Sequence, residues 1–360
     1  MLTPELVPVP DGRPLHEAAT VVDTHDDLLM LVARRPRSAQ SDYFRTEWLP
    51  QLREGGVDVQ VLPVFIDDEY RPEGALRQTL KMLEAGWTIA AGSPDDVAIC
   101  LDGAQVDAAV AEGKIALVLA LEGCEAIGRD VELLSILHRV GVRIASLTHF
   151  GRTLLADGSG EDPAGSRLTR AGIEAVGIME ELGILVDISH LGAVGVDHVL
   201  DIARRPVIAT HSSAFELRGH HRNLTDARIK GIGAGGGVVN VNFFAGFLSD
   251  DPSDYTVARV GEHIEHMADL VGIDRVGLGP DFCKQVFAEL YPGKTELMME
   301  GFDALAAVPG LEGPRGLPLV TAELLNRGWS EPDVRAVLGA NDLRLFRREL
   351  GVPLRALTTT

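Results

Sequence analysis

The chain has 360 residues, 46% apolar and 24% charged, with a formal charge of −20. That composition excludes a disordered chain, a collagen-like fibre and a disulfide scaffold, and the surplus of acid would repel nucleic acid and anionic membranes. Length alone would allow two domains, but α/β barrels of this size fold as one, and a single domain over 1–360 is expected. Along the chain, the opening MLTPELVPVPDGRP has neither the basic nor the apolar segment of a secretory signal. Eight short apolar runs follow: VVDTH (21–25), VDVQVLPVF (57–65), IALVLALEG (115–123), VRIASLTH (142–149), ILVDISH (184–190), PVIATHSS (206–213), GGVVNVNFF (236–244) and RVGLGPDF (275–282). Most are nearly continuous in apolar character, as parallel strands covered on both faces are. Helix-like stretches separate them: 130–140, 168–182 with Thr169 as N-cap and Gly183 as stop, 257–271, and 321–328. Eight strands alternating with helices predict a (β/α)8 TIM barrel rather than an open doubly wound sheet. Residues 284–318, with Gly and Pro clustered at 309–317, read as an insertion after strand eight that forms a lid or an oligomer contact.

The longest clean apolar run, 115–121, is far short of the ~18 residues that a membrane span needs. Cys100, Cys124 and Cys283 form no CxxC pair and suit a reducing compartment, with Cys124 a small core residue rather than a nucleophile. A cytoplasmic protein is expected.

In such a barrel chemistry belongs at the C-terminal ends of the strands. Those ends carry His25 and Asp27, Glu122, His149, His190, His211 and Asp281. In extended backbone residues i and i+2 point to one side, so His25 and Asp27 can reach one metal. Glu122 can bridge two metals, and His190 and His211 on neighbouring strands would complete the second site. Two metals a few ångströms apart share a hydroxide, lower its pKa and polarise a carbonyl, which is hydrolytic machinery. Any one strand-end histidine is ordinarily structural, and a lone buried glutamate can simply pair with arginine; the set taken together is what points to metal. His138, His198, His263 and His266 fall on predicted helices and read as solvent-facing or satisfied core residues, while His16 and His220 fall in loops without a role.

The segments VVDTHDDLL, LEGCEAIG, SLTHF, VDISH, ATHSSAF, HRNLTD, GLGPDF and GANDLRLF stand in the order seen in the membrane (renal) dipeptidase family of the amidohydrolase-type barrels, and the chain resembles that family from about residue 20 to 350. The resemblance implies a binuclear zinc dipeptidase with two Zn2+ per chain, manganese or cobalt also suiting the ligands. Carried over motif by motif, His25 and Asp27 bind one zinc, Glu122 bridges, and His190 and His211 hold the other. His149 contacts the substrate and steadies the tetrahedral intermediate, and Arg222 pairs with the substrate's terminal carboxylate. Asp281 carries a proton from the bridging water to the leaving amine. Apart from the resemblance, Arg222 reads equally as half of a surface salt bridge, and Asp281 as a helix N-cap or a structural carboxylate. Where many members read DFDG, this chain reads Asp281-Phe282-Cys283-Lys284, which puts substrate preference in question.

The expected activity is hydrolysis of small dipeptides, L-L and also L-D, with no nucleic acid or membrane partner and a homodimer as the default assembly. The rivals are hydrolysis of another small amide or ester (a lactam, lactone or N-acyl amino acid), a pathway-specific biosynthetic peptidase, and a metal-bound protein without turnover.

Overall fold

The computed structural model describes residues 12–299 and 302–354. The opening residues 1–11 and positions 300–301 of the expected insertion lie outside the described residues, as do 355–360. Each apolar run contributes one parallel strand: β1 (Val21–Asp23), β2 (Val57–Phe65), β3 (Ile115–Glu122), β4 (Val142–Ser146), β5 (Leu185–Asp187), β6 (Ile208–Ser212), β7 (Val238–Val241) and β8 (Val276–Leu278). Each pairs with the next in chain order. β8 returns beside β1, where Thr24 N–H donates to the Leu278 carbonyl at 3.2 Å. The sheet is therefore a nearly closed barrel rather than an open doubly wound sheet.

Side-chain alternation along β3 explains how the barrel holds. Ala116, Val118 and Ala120 point inward to a cluster with Val22, Val59 and Ile144. Leu117, Leu119 and Leu121 point outward into the larger layer beneath the helices. Leu343, Phe346 and Leu350, from helix Asn341–Glu349 and its end, join the inner cluster together with Leu185, Ile208 and Val238 from the starts of β5 to β7. Gly339, just before that helix, has no room for a side chain, because a Cβ there would stand 2.5 Å from the Thr20 carbonyl.

Helices Arg170–Leu182 and Val257–Val271 lie where the sequence predicts, the first with Thr169 Oγ1 accepting from Gly172 N–H at 3.1 Å and with Gly183 at φ 77° as its stop. Two others shift. Helix Leu317–Asn326 starts earlier than 321 because Pro318 suits a first turn, and Leu133–Arg139 is shorter than 130–140. A three-residue strand, Val97–Ile99, pairs with the start of β3, below the point where β4 begins its own pairing at Leu119↔Val142. Its brevity and that of its apolar run hide it from periodicity.

His16 is not in a loop: it lies on helix Arg13–Glu17, buried, with Nδ1 2.7 Å from Thr321 Oγ1 and Nε2 2.8 Å from the Gly55 carbonyl. His198 and His263 are satisfied core residues. His263 Nδ1 accepts from Ala214 N–H (3.1 Å) and Nε2–H donates to the Leu248 carbonyl (3.1 Å), so its ring is held neutral, and burial pushes its pKa down to about 4. The unfolded chain takes up this proton near pH 6.5, so stability from His263 is full above that pH and drains away as pH falls toward 4, by up to about 3 kcal/mol. Denaturant melts at pH 7.5 and pH 5 should show a smaller acid loss in His263→Gln than in the parent. An equal loss in both would remove His263 as a source.

Candidate metal centre

The seven strand-end residues meet at one mouth of the barrel. Glu122 ends β3, and its Oε1 lies 2.9 Å from His190 Nε2, 3.4 Å from His25 Nε2, 3.4 Å from His211 Nε2 and 3.9 Å from His149 Nε2. His25 Nε2 is 3.9 Å from Asp27 Oδ1. Asp281 joins His25 and Asp27 in a further group whose oxygens and nitrogen lie within 4.8 Å of one another. The rings of His25 and His211 stack at 3.6 Å, and those of His149 and His190 lie 4.1 Å apart.

The backbone that presents these groups is less regular than extended strand. Only Glu122 and His211 lie on strands; His25 is two residues past β1, while His149, His190 and Asp281 are three past theirs. Asp27 stands at the N-cap of helix Leu28–Val32, with φ −77° and ψ 18°, so its proximity to His25 comes from a strand-to-helix turn and not from the i, i+2 rule of a strand. His190 and Asp281 take φ 66° and 58°, and among the described residues they are the only non-glycine positions in the left-handed region. A ladder cannot continue through such a residue, which is why β5 and β8 stop short of them. Gly279, just past β8, lets the chain approach the Thr210 carbonyl of β6, two strands away: a Cβ there would fall 1.7 Å from it.

Hydrogen bonds fix what each group offers. The Thr210 hydroxyl donates to Asp187 Oδ2 (2.6 Å) and so accepts from His211 Nδ1–H (2.8 Å). That leaves the His211 Nε2 lone pair facing Glu122. Asp187 Oδ1 in turn accepts from Thr210 N–H and Ser189 N–H. Asn242 Nδ2–H donates to Asp281 Oδ2 at 2.9 Å, and Cys283 Sγ lies 2.9 Å from Asp281 Oδ1. Asp187, Thr210 and Asn242 belong to motifs read from the sequence, yet received no role there; polar residues in otherwise apolar runs were the available signal. Thr210→Val should lower metal affinity about 10- to 100-fold, as loss of an outer partner of a ligating histidine does. Competition with a calibrated chelator measures it, and an unchanged affinity would detach this relay from the site.

The donor set fits divalent cations. His25 Nε2 and Asp27 Oδ1 are buried with no hydrogen-bond partner among the described residues. Burial, and then neighbouring positive groups, hold His190 and His211 well below the usual imidazole range. Burial, and then neighbouring carboxylates, push Glu122 and Asp27 well above theirs. Without a cation the cluster favours neither imidazolium nor carboxylate, and imidazole with carboxylate is the donor chemistry of zinc-like ions.

Arg222 is buried, not a surface ion pair. Nη1 donates to Ser212 Oγ (3.1 Å) and Nη2 to the His211 carbonyl (2.7 Å), while Nε–H has no hydrogen-bond partner among the described residues. Burial lowers its pKa to about 10, opposed by the charges of Asp281 and Glu122. Asp281 is not an N-cap: Phe282 holds that place before helix Cys283–Leu290. Cys124 is fully buried, and burial pushes its thiol up beyond any nucleophilic range. Above Glu122, His149, His190 and Asp281 opens a cavity of about 670 Å³. The expected insertion contributes to it through helix Cys283–Leu290 and through Phe302, from the second strand of the antiparallel pair Met298–Met299 and Phe302–Asp303. No helix among the described residues is long and apolar enough to cross a membrane.

The model of a family described as membrane dipeptidase, peptidase family M19, matches residues 11–292 and 299–352. Dipeptidase verJ of Clonostachys rogersoniana is 30% identical over 282 residues, which are 78% of this chain and 66% of that protein, so the chain spans just under two thirds of that relative's length. The crystal structure of dipeptidase AC, an M19 metallopeptidase, is similar at TM-score 0.81 and 26% identity, over 93% of this chain and 99% of that one. So is a metallopeptidase from Rhodobacter sphaeroides liganded with a phosphinate mimic of L-Ala-D-Ala, at TM-score 0.81 and 25% identity, over 92% and 99%.

Proposed function

Because this chain belongs to the membrane dipeptidase family, peptidase family M19, and with it to the metallo-dipeptidases, we propose that it hydrolyses small dipeptides, L-L and L-D, at a centre of two zinc ions. The observation that carries this reading is Glu122 Oε1, set within 3.4 Å of three imidazole nitrogens at the cavity over the barrel mouth. His25 and Asp27 would hold one ion and His190 and His211 the other, with Glu122 shared. When bound, such a pair supplies a nucleophile from water at neutral pH and polarises the scissile carbonyl.

The rest is done by side chains of this chain. His149 stands beside Glu122 at the cavity wall, where an N–H can meet the oxygen that gains charge as the carbonyl is attacked. Asp281 is held at both oxygens, by Asn242 and Cys283, and would take a proton from water and return it to the departing amine nitrogen. Arg222, whose Nε–H has no hydrogen-bond partner among the described residues, would donate to the substrate's terminal carboxylate. The L-Ala-D-Ala mimic bound by the Rhodobacter relative supports including L-D substrates.

A screen of L-L and L-D dipeptides on the zinc-loaded enzyme tests the reading. Turnover is expected, with Arg222→Ala raising KM for free dipeptides much more than for C-terminal amides. An enzyme carrying two zinc ions by elemental analysis that cleaves no dipeptide would overturn it.

A further inference from the structure

The cavity over the centre is two-sided. Of the chain's eleven phenylalanines, six line it: Phe65, Phe150, Phe244, Phe247, Phe287 and Phe302. Two of these flank His149, with ring centroids at 4.5 Å (Phe65) and 4.6 Å (Phe150). The other four form a wall from the segments after β7 and β8. In it Phe244, Phe247 and Phe302 meet one another at 4.9–5.3 Å, and Phe287 packs against their cluster. The adjoining wall, after β1 and β2, is charged. Beside Met30 it carries Arg34, paired with Asp67 at 3.0 Å, Arg71, paired with Asp68 at 3.2 Å and with Glu125 at 3.3 Å, and Glu69, so that acids outnumber bases.

Asp281 decides which end of a substrate faces which wall. Cys283, bonded to Asp281, belongs to the same buried cluster as Phe244, Phe247 and Phe302. Resting on the dipeptidase reading above, in which Asp281 returns the proton to the departing amine, the residue that leaves lies on the phenylalanine side. The N-terminal residue then lies toward the acidic surplus, which suits a free α-ammonium. We infer that this enzyme selects dipeptides whose C-terminal residue carries a large apolar side chain, above all an aromatic one. Removing such a side chain from water against a preformed aromatic wall is the source of the preference, and the cavity is large enough to seat it.

Kinetics on the zinc-loaded enzyme with Ala-Ala, Ala-Phe and Phe-Ala, each with an L and a D C-terminal residue, tests this. Ala-Phe should exceed Ala-Ala in kcat/KM by about 10- to 100-fold, while Phe-Ala should gain little. Phe287 is only half-buried, so Phe287→Ala should fold, verified by its melting temperature, and should lose most of the Ala-Phe advantage. Calorimetry with phosphinate analogues of the same dipeptides should rank their Kd values in the same order. Equal rates on Ala-Ala and Ala-Phe overturn the inference and leave the dipeptidase reading standing, and a gain on Phe-Ala alone overturns the orientation and with it the inference. Failure to cleave any of the six overturns both.

Discussion

Asp281→Asn is expected to lower kcat by about 10²- to 10⁴-fold, the usual contribution of a positioned proton carrier, with the metal content unchanged. The substitution is chosen for its backbone. Asparagine tolerates the left-handed region as aspartate does, so φ 58° at this position is kept. The side chain also keeps its shape between Asn242 and Cys283. What it loses is the ability to take a proton and give it back. Steady-state kinetics on the best dipeptide, beside elemental analysis and a thermal melt of the same sample, separates this from a folding or loading defect. A variant that keeps a tenth of the parent's kcat would take Asp281 out of the proton path.

Glu122→Gln should do more damage, because it acts before chemistry. Oε1 lies within 3.4 Å of His25, His190 and His211 together, and an amide offers neither charge nor a second lone-pair oxygen. The loss of affinity should exceed the roughly 10- to 100-fold typical of an outer-shell partner, and bound zinc should fall from two ions per chain to one or none after dialysis against a buffered chelator. Activity should fall with the metal and return only in part at high zinc. Two ions retained at full affinity would show that Glu122 is not shared.

The eight strands were legible because their sequences are apolar on both faces, and the candidate ligands because they cluster at the ends of those runs. Where each strand stops was not legible. The turns at His190 and Asp281 are imposed by the site they serve, and no local propensity of VDISH or GPDF announces a positive φ. His25 and Asp27 do stand close together, but not by the i, i+2 rule of a strand, since the chain has left the extended state by Asp27. Asp187, Thr210 and Asn242 matter through bonds between neighbouring strands, which one strand read alone does not contain. The phenylalanine wall was hidden for a related reason. Phe244, Phe287 and Phe302 are scattered over nearly sixty positions, and only closure of the barrel and the fold of the segment after β8 bring them to one side.

The left-handed backbone at His190 and Asp281 bears on how this chain can change over generations. Each such non-glycine residue is held against a local preference of about 1–3 kcal/mol, a large share of the margin by which a domain stays folded. Replacement by glycine at either position would relax the chain while removing a group from the candidate metal centre or beside it. His190→Gly and Asp281→Gly are therefore routes by which random drift could make the protein sturdier and silent at once. Persistence of histidine and aspartate at these two positions would then be a sign of continuing selection for the reaction, and not for the barrel.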